Sequence, residues 1–243
     1  MASTSEVGHA KNVANFQDLI EFVTGYGAIY NPSKNALKLP QLIALKASAD
    51  ATLADVITKN TNYNNKVNER ITAFSGLKSL STRLVNALQT TEATTETVGN
   101  AKTFNRKMQG KKASSSQTPT DLNTPAPTTI STSQQSYDQL IQHLAGLTSV
   151  LEAETSYTPN ETDLQVATLQ TKIADLTAKN TAVATAYASI SNSRIARNET
   201  LYSSSTGLVE TANEVKKYIK SVFGASSPQF AQVKGIQFKI IKN

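Results

Sequence analysis

A chain of 243 residues is long enough to bury one core or two. Thr (31), Ser (24) and Asn (19) account for 74 residues, with 29 Ala besides, while charged residues make up only 17%, so much of the surface must be hydroxyl and amide. The absence of Cys excludes a disulfide framework, a thiolate nucleophile and Cys-built zinc or iron–sulfur sites, and two His leave little for imidazole chemistry.

The chain opens Met1-Ala-Ser-Thr-Ser-Glu-Val-Gly-His9, without the charged and apolar regions of a signal peptide. No apolar run approaches the ~18 residues of a membrane span. The expected location is the cytoplasm, with export by a dedicated secretion machine left open.

Phe16, Leu19, Ile20, Val23 and Tyr26 recur at helical spacing and predict a first helix with one buried face. Phe16-Gln-Asp-Leu-Ile20 returns as Tyr137-Asp-Gln-Leu-Ile141, the first sign of an internal duplication. Pro32 ends the segment, and Tyr30-Asn-Pro32, Leu37, Leu39 and Leu42 match Tyr157-Thr-Pro159, Leu164, Val166 and Leu169 at an offset of 127. Further on, Arg70-Ile71, Leu77 and Leu84-Val85 match Arg194-Ile195, Leu201 and Leu208-Val209 at an offset of 124. Two indels follow, one at Glu152 to Tyr157 and one where Asn62-Tyr-Asn-Asn-Lys-Val-Asn68 faces Ser189-Ile-Ser-Asn-Ser193. Insertions are tolerated in loops and Asn clusters suit turns, so both places are expected to turn, giving three helices per copy. The alternative is a continuous rod of ~60 residues in each copy that absorbs the change as a stammer.

In the second helix Leu42, Ala49, Val56 and Tyr63 repeat every seven residues, as do Leu169, Leu176, Val183 and Ile190 in the other copy. That period predicts antiparallel, coiled-coil-like packing at a shallow angle, with Asn60 and Asn180 in seam positions. A third helix continues the pattern through Phe74, Leu77, Leu84 and Leu88, and through Leu201, Leu208, Val215 and Val222. The remaining faces are uncharged and small, as in Thr181-Ala-Val-Ala-Thr-Ala-Tyr-Ala-Ser189. Thr and Ser are mediocre helix formers, so such faces are expected to contact protein rather than water.

Basic residues gather at Lys102, Arg106, Lys107, Lys111 and Lys112, and again at Lys216, Lys217, Lys220, Lys234, Lys239 and Lys242, within a net charge of +6. They are not interleaved with stacking aromatics or laid along one recognition helix, which disfavours nucleic acid as partner. The stretch from Ala113 to Thr129 carries Pro119, Pro125 and Pro127 and almost nothing apolar, and reads as a linker. His143, matched by Phe22, reads as a packing residue rather than a ligand. Gly224 ends the last long helix. Beyond it, Ile236 to Ile240 alternates apolar and polar residues with the period of a strand, which must lie on its own bundle or pair with another segment.

No phosphate-binding glycine loop, zinc-protease motif, nucleophile elbow or calcium loop is present. The sequence calls for no enzyme activity, catalytic residue, cofactor, metal or small-molecule substrate.

Val215-Lys-Lys-Tyr-Ile-Lys-Ser-Val-Phe-Gly224, Ser227-Pro-Gln-Phe-Ala-Gln-Val-Lys-Gly-Ile236 and the upstream Arg197-Asn-Glu-Thr-Leu-Tyr202 resemble a set of uncharacterised helical proteins of Bacteroidota genomes. The resemblance covers roughly residues 135–243 and implies a bacterial source and no activity. By composition the chain also resembles flagellin-type filament subunits, without their terminal sequence pattern.

The expected architecture is all-α: a first helical repeat over 1–112, a Ser/Thr/Pro-rich linker over 113–135, and a second repeat over 136–243 with a strand-like tail at 230–241. The expected function is non-enzymatic scaffolding by self-association into a homo-oligomer or polymer such as a filament, tube or layer. Phe104, Phe230, Val233, Ile236, Phe238 and Ile240 are the candidate assembly interface. The alternatives are a membrane-active, pore-forming type of helical protein, for which no concentrated apolar hairpin is found, and an anion- or nucleic-acid-binding adaptor.

Overall fold

The computed structural model describes residues 4–110 and 135–241. Among them the protein is all-α, with eight α-helices and no strand: α1 (Thr4–Gly25), α2 (Leu39–Phe74), α3 (Leu77–Leu88), α4 (Thr95–Gln109), α5 (Tyr137–Ala153), α6 (Val166–Tyr202), α7 (Leu208–Phe223) and α8 (Pro228–Lys234). The segment 113–134, nearly all of the predicted linker, lies outside the described residues.

Neither Asn-rich run turns. Residues 62–68 lie inside α2 and residues 189–193 inside α6, continuous helices of 36 and 37 residues. An exposed Asn costs a helix only a few tenths of a kcal/mol relative to a good helix former, and burial to either side of the run in α2, at Val56 and Phe74, and within it in α6, at Ile190 and Ser193, offsets that. The chain breaks later, at Gly76, whose φ of 79° is left-handed, and between Tyr202 and Leu208. Four helices therefore precede residue 111 and four follow residue 134, in place of three and three.

The described chain divides into two compact units, and neither is one continuous stretch: the first holds residues 1–63 and 186–243, the second 64–185. Each unit therefore draws residues from both of the stretches expected to be repeats, 1–112 and 136–243. In the first, α1 packs on α7 and α8. Its core gathers Phe16, Leu19, Leu42, Leu201, Leu208, Ala212, Val215, Ile219 and Val233, all fully buried. In the second, α4 packs against both α3 and α5, closing Leu84, Leu88, Met108, Leu144, Leu147, Leu169 and Leu176 into a separate core.

Local signals set the helix ends. Ser136, Thr94 and Ser227 each cap a helix by accepting a hydrogen bond from the backbone N–H three residues on. Pro228 opens α8, and Gly224 at φ 92° ends α7. Several seam expectations are revised by the surroundings. Val222 is 39% exposed. Tyr63 meets the ring of Tyr187 at 5.9 Å. Asn180 is held between polar groups, accepting from Arg70 and donating to Asp138.

Candidate interaction surfaces

In the first unit the segment 236–241 has no regular secondary structure, and its backbone is bonded by side chains of α1 and α7. Asn12 Nδ2 donates to the Lys239 carbonyl at 2.7 Å, and the Lys239 N–H donates back to Asn12 Oδ1 at 3.0 Å. One helical turn along α1, Asn15 Nδ2 donates to the Gln237 carbonyl at 2.6 Å. The Lys216 ammonium donates to the Ile236 carbonyl and lies 5.6 Å over the Phe238 ring; burial lowers its pKa from the ordinary value. The period of two holds only over its first residues: Ile236 and Phe238 pack on the core while Gln237 and Lys239 are exposed, but Ile240 faces outward and Ile241 is half-buried. Asn12 also donates to the Tyr202 hydroxyl at 3.2 Å, and that hydroxyl lies 2.6 Å from His9 Nδ1. Asn12 and Asn15 sit on the polar flank of an amphipathic helix and carry no motif, so sequence reasoning did not find them.

The six residues expected to form an assembly interface are divided between the two units. Phe104 belongs to the core of the second unit, where its ring lies against Gly146. The other five are in the first unit. Val233 is fully buried, and Phe230, Ile236 and Phe238 are half-buried on the core. Phe230 to Val233 are helical, within α8. Ile240 alone is strongly exposed, at 63%.

The first part of α2 carries a second surface. Leu42, Ala49 and Val56 are buried, as the heptad predicts. On another face Ile43, Ala47, Asp50, Ala54, Ile57 and Thr61 alternate at intervals of four and three, and every one is exposed. Ile43 is 51% exposed and Ile57 67%.

In the second unit, a shallow groove of ≈ 590 Å³ is lined by Asn65, Asn68, Glu69, Thr72, Ala73 and Lys179. Glu69 accepts from Lys66 at 2.8 Å and from Lys179 at 3.1 Å. The Lys66 hydrogen bond, then that of Lys179, holds the Glu69 carboxyl below its ordinary pKa, while the Glu69 hydrogen bond raises Lys179. A carboxylate engaged by two ammonium groups is a poor proton acceptor. His143 is buried on α5, as its packing role requires. No group of three or more His, Asp or Glu among the described residues is placed to hold a metal ion. No described helix is long and apolar enough to cross a membrane.

No protein-family model, curated protein or solved structure matches the chain.

Proposed function

We propose that the chain is a non-enzymatic scaffolding protein that associates with copies of itself, into a filament, tube or layer, through the outward faces of its long helices. The observation that carries this reading is the exposed row from Ile43 to Thr61 on α2. A four–three spacing of apolar and small residues is the pattern of a helix seam, and isoleucines more than half exposed leave that seam without a partner among the described residues. Its single charge, Asp50, and its Ala and Thr residues suit close approach of another helix.

The same reading takes the chain as a tandem duplication of an elongated helical unit. In its favour, Tyr30 donates to the Leu37 carbonyl at 2.7 Å and Tyr157 to the Leu164 carbonyl at 2.9 Å, each ahead of a 3₁₀ turn ending at that Leu. Related surfaces presented twice in one chain allow head-to-tail contacts that propagate when rotation does not close them.

Light scattering across a concentration series, with electron microscopy of the same samples, tests the proposal. Growth of mass with concentration is the expected result, and Ile43→Lys together with Ile57→Lys should sharply reduce it while leaving the circular dichroism spectrum unchanged. A strictly monomeric particle at high concentration and physiological salt overturns the reading.

A further inference from the structure

The groove that holds segment 236–241 recognises mainly backbone. Asn12 and Asn15 bond the main chain of Lys239 and Gln237, whose side chains are exposed, and Lys216 takes the Ile236 carbonyl. Apolar seats fix which residues occupy it. Phe238 meets Phe16 edge-on, with ring centroids 6.4 Å apart. Ile241 fills the space left by the missing side chain of Gly8, where an added Cβ would lie 2.9 Å from its terminal carbon. The hold is partial, since Ile236, Phe238 and Ile241 are only half-buried and Ile240 is 63% exposed. The segment hangs from exposed Lys234 and Gly235, and a Cβ at Gly235 would meet nothing within 4 Å.

We infer that this groove also serves as a joint between copies: residues 236–241 of a second copy replace the chain's own tail, the chain redirecting at Lys234–Gly235. The inference rests on the self-association reading and names the segment and the seat through which one contact is made. A tail from a second copy re-forms the same Asn12, Asn15 and Lys216 bonds and refills the seats at Phe16 and Gly8, so exchange gives up only the Ile236 N–H bond to the Val233 carbonyl at the hinge and the entropy of association. An unrelated extended segment satisfies the asparagines but not the spacing of Ile236, Phe238 and Ile241. Reciprocal exchange closes a dimer, and one-way exchange adds copies without limit.

Cross-linking of native chains tests this without a substitution. Lys11 and Lys239 are exposed amines beside the Asn12 clasp. Equal amounts of ¹⁴N- and ¹⁵N-labelled protein are co-incubated at a concentration where light scattering shows association, treated with an amine-reactive cross-linker and digested. Full exchange makes about half of all Lys11–Lys239 cross-links mixed-isotope. Associated particles whose Lys11–Lys239 cross-links are all same-isotope overturn the exchange and leave self-association standing. Particles that stay monomeric throughout overturn both.

Discussion

The carboxamide of Asn12 takes both backbone groups of Lys239, donating to its carbonyl at 2.7 Å and accepting from its N–H at 3.0 Å. This is the pairing an antiparallel neighbour would offer at one residue of a ladder, supplied by one buried side chain of α1. Replacing Asn12 by Ala leaves both groups of Lys239 without those partners, at a cost of ~1–3 kcal/mol. The Lys239 amide should then exchange with deuterium at close to the rate of an open chain, while amides in the core of α7 keep their protection. Retained protection at Lys239 would show that Asn15, Lys216 and the packing of Phe238 suffice to hold the tail.

Close approach of α4 to α5 depends on Gly146. A Cβ built there lies 2.3 Å from the Phe104 ring, so Gly146→Ala must push the ring out of its seat. A loss of ~1–3 kcal/mol is expected in urea unfolding. Phe104→Leu should recover part of it in the double variant, giving a coupling energy of at least ~0.5 kcal/mol.

Tyr30 and Tyr157 occupy the same local geometry in the two units. Burial raises both pKa values above the ordinary tyrosine value, Tyr157 to about 12 and Tyr30 further. Because the folded values are raised, this stabilisation is complete below the unfolded value of ~10 and is lost as pH rises through the folded values. Burial raises Tyr26 as well, so ultraviolet titration should show three of the eight tyrosines ionising late, Tyr30 and Tyr157 together with alkaline unfolding. Tyr30→Phe and Tyr157→Phe should each cost ~1–2 kcal/mol, since each strands one buried carbonyl. Unequal costs would show that the two tyrosine turns are not energetically equivalent.

Acid acts on the carboxylates in the opposite sense. Hydrogen bonds from Lys66 and Lys179 lower Glu69, and the Arg83 guanidinium lowers Asp163. A depressed folded value means the stabilisation is present above the unfolded value and lost as pH falls through the folded one. Carboxyl-detected NMR should find both groups titrating below their ordinary values. Lys179→Ala should return Glu69 part of the way. Both pairs are largely exposed, so raising salt should weaken these shifts.

The heptad residues Leu42, Ala49 and Val56, and Leu169 and Leu176, were legible in the sequence because helical period and hydrophobicity are local properties. The breaks at Gly224 and Ser227-Pro228 were legible for the same reason. The form of the tail was not, because alternating apolar residues from Ile236 to Ile240 describe equally a paired strand and a strap pinned by side chains. Asn12 and Asn15, which settle the matter, lie more than 220 residues away in the chain.

By itself the sequence determined an all-helical protein, the buried face of each long helix and the lack of recognisable catalytic motifs, because composition and periodicity act residue by residue. The tertiary structure decided whether α2 and α6 turn at their Asn-rich runs and which helices share a core. A few unfavourable residues cost a helix tenths of a kcal/mol each, and the burial that outweighs them comes from helices distant in sequence. With α2 unbroken, α1 meets α7 and α3 meets α4 and α5. That pairing is a property of the folded chain and not of any window within it.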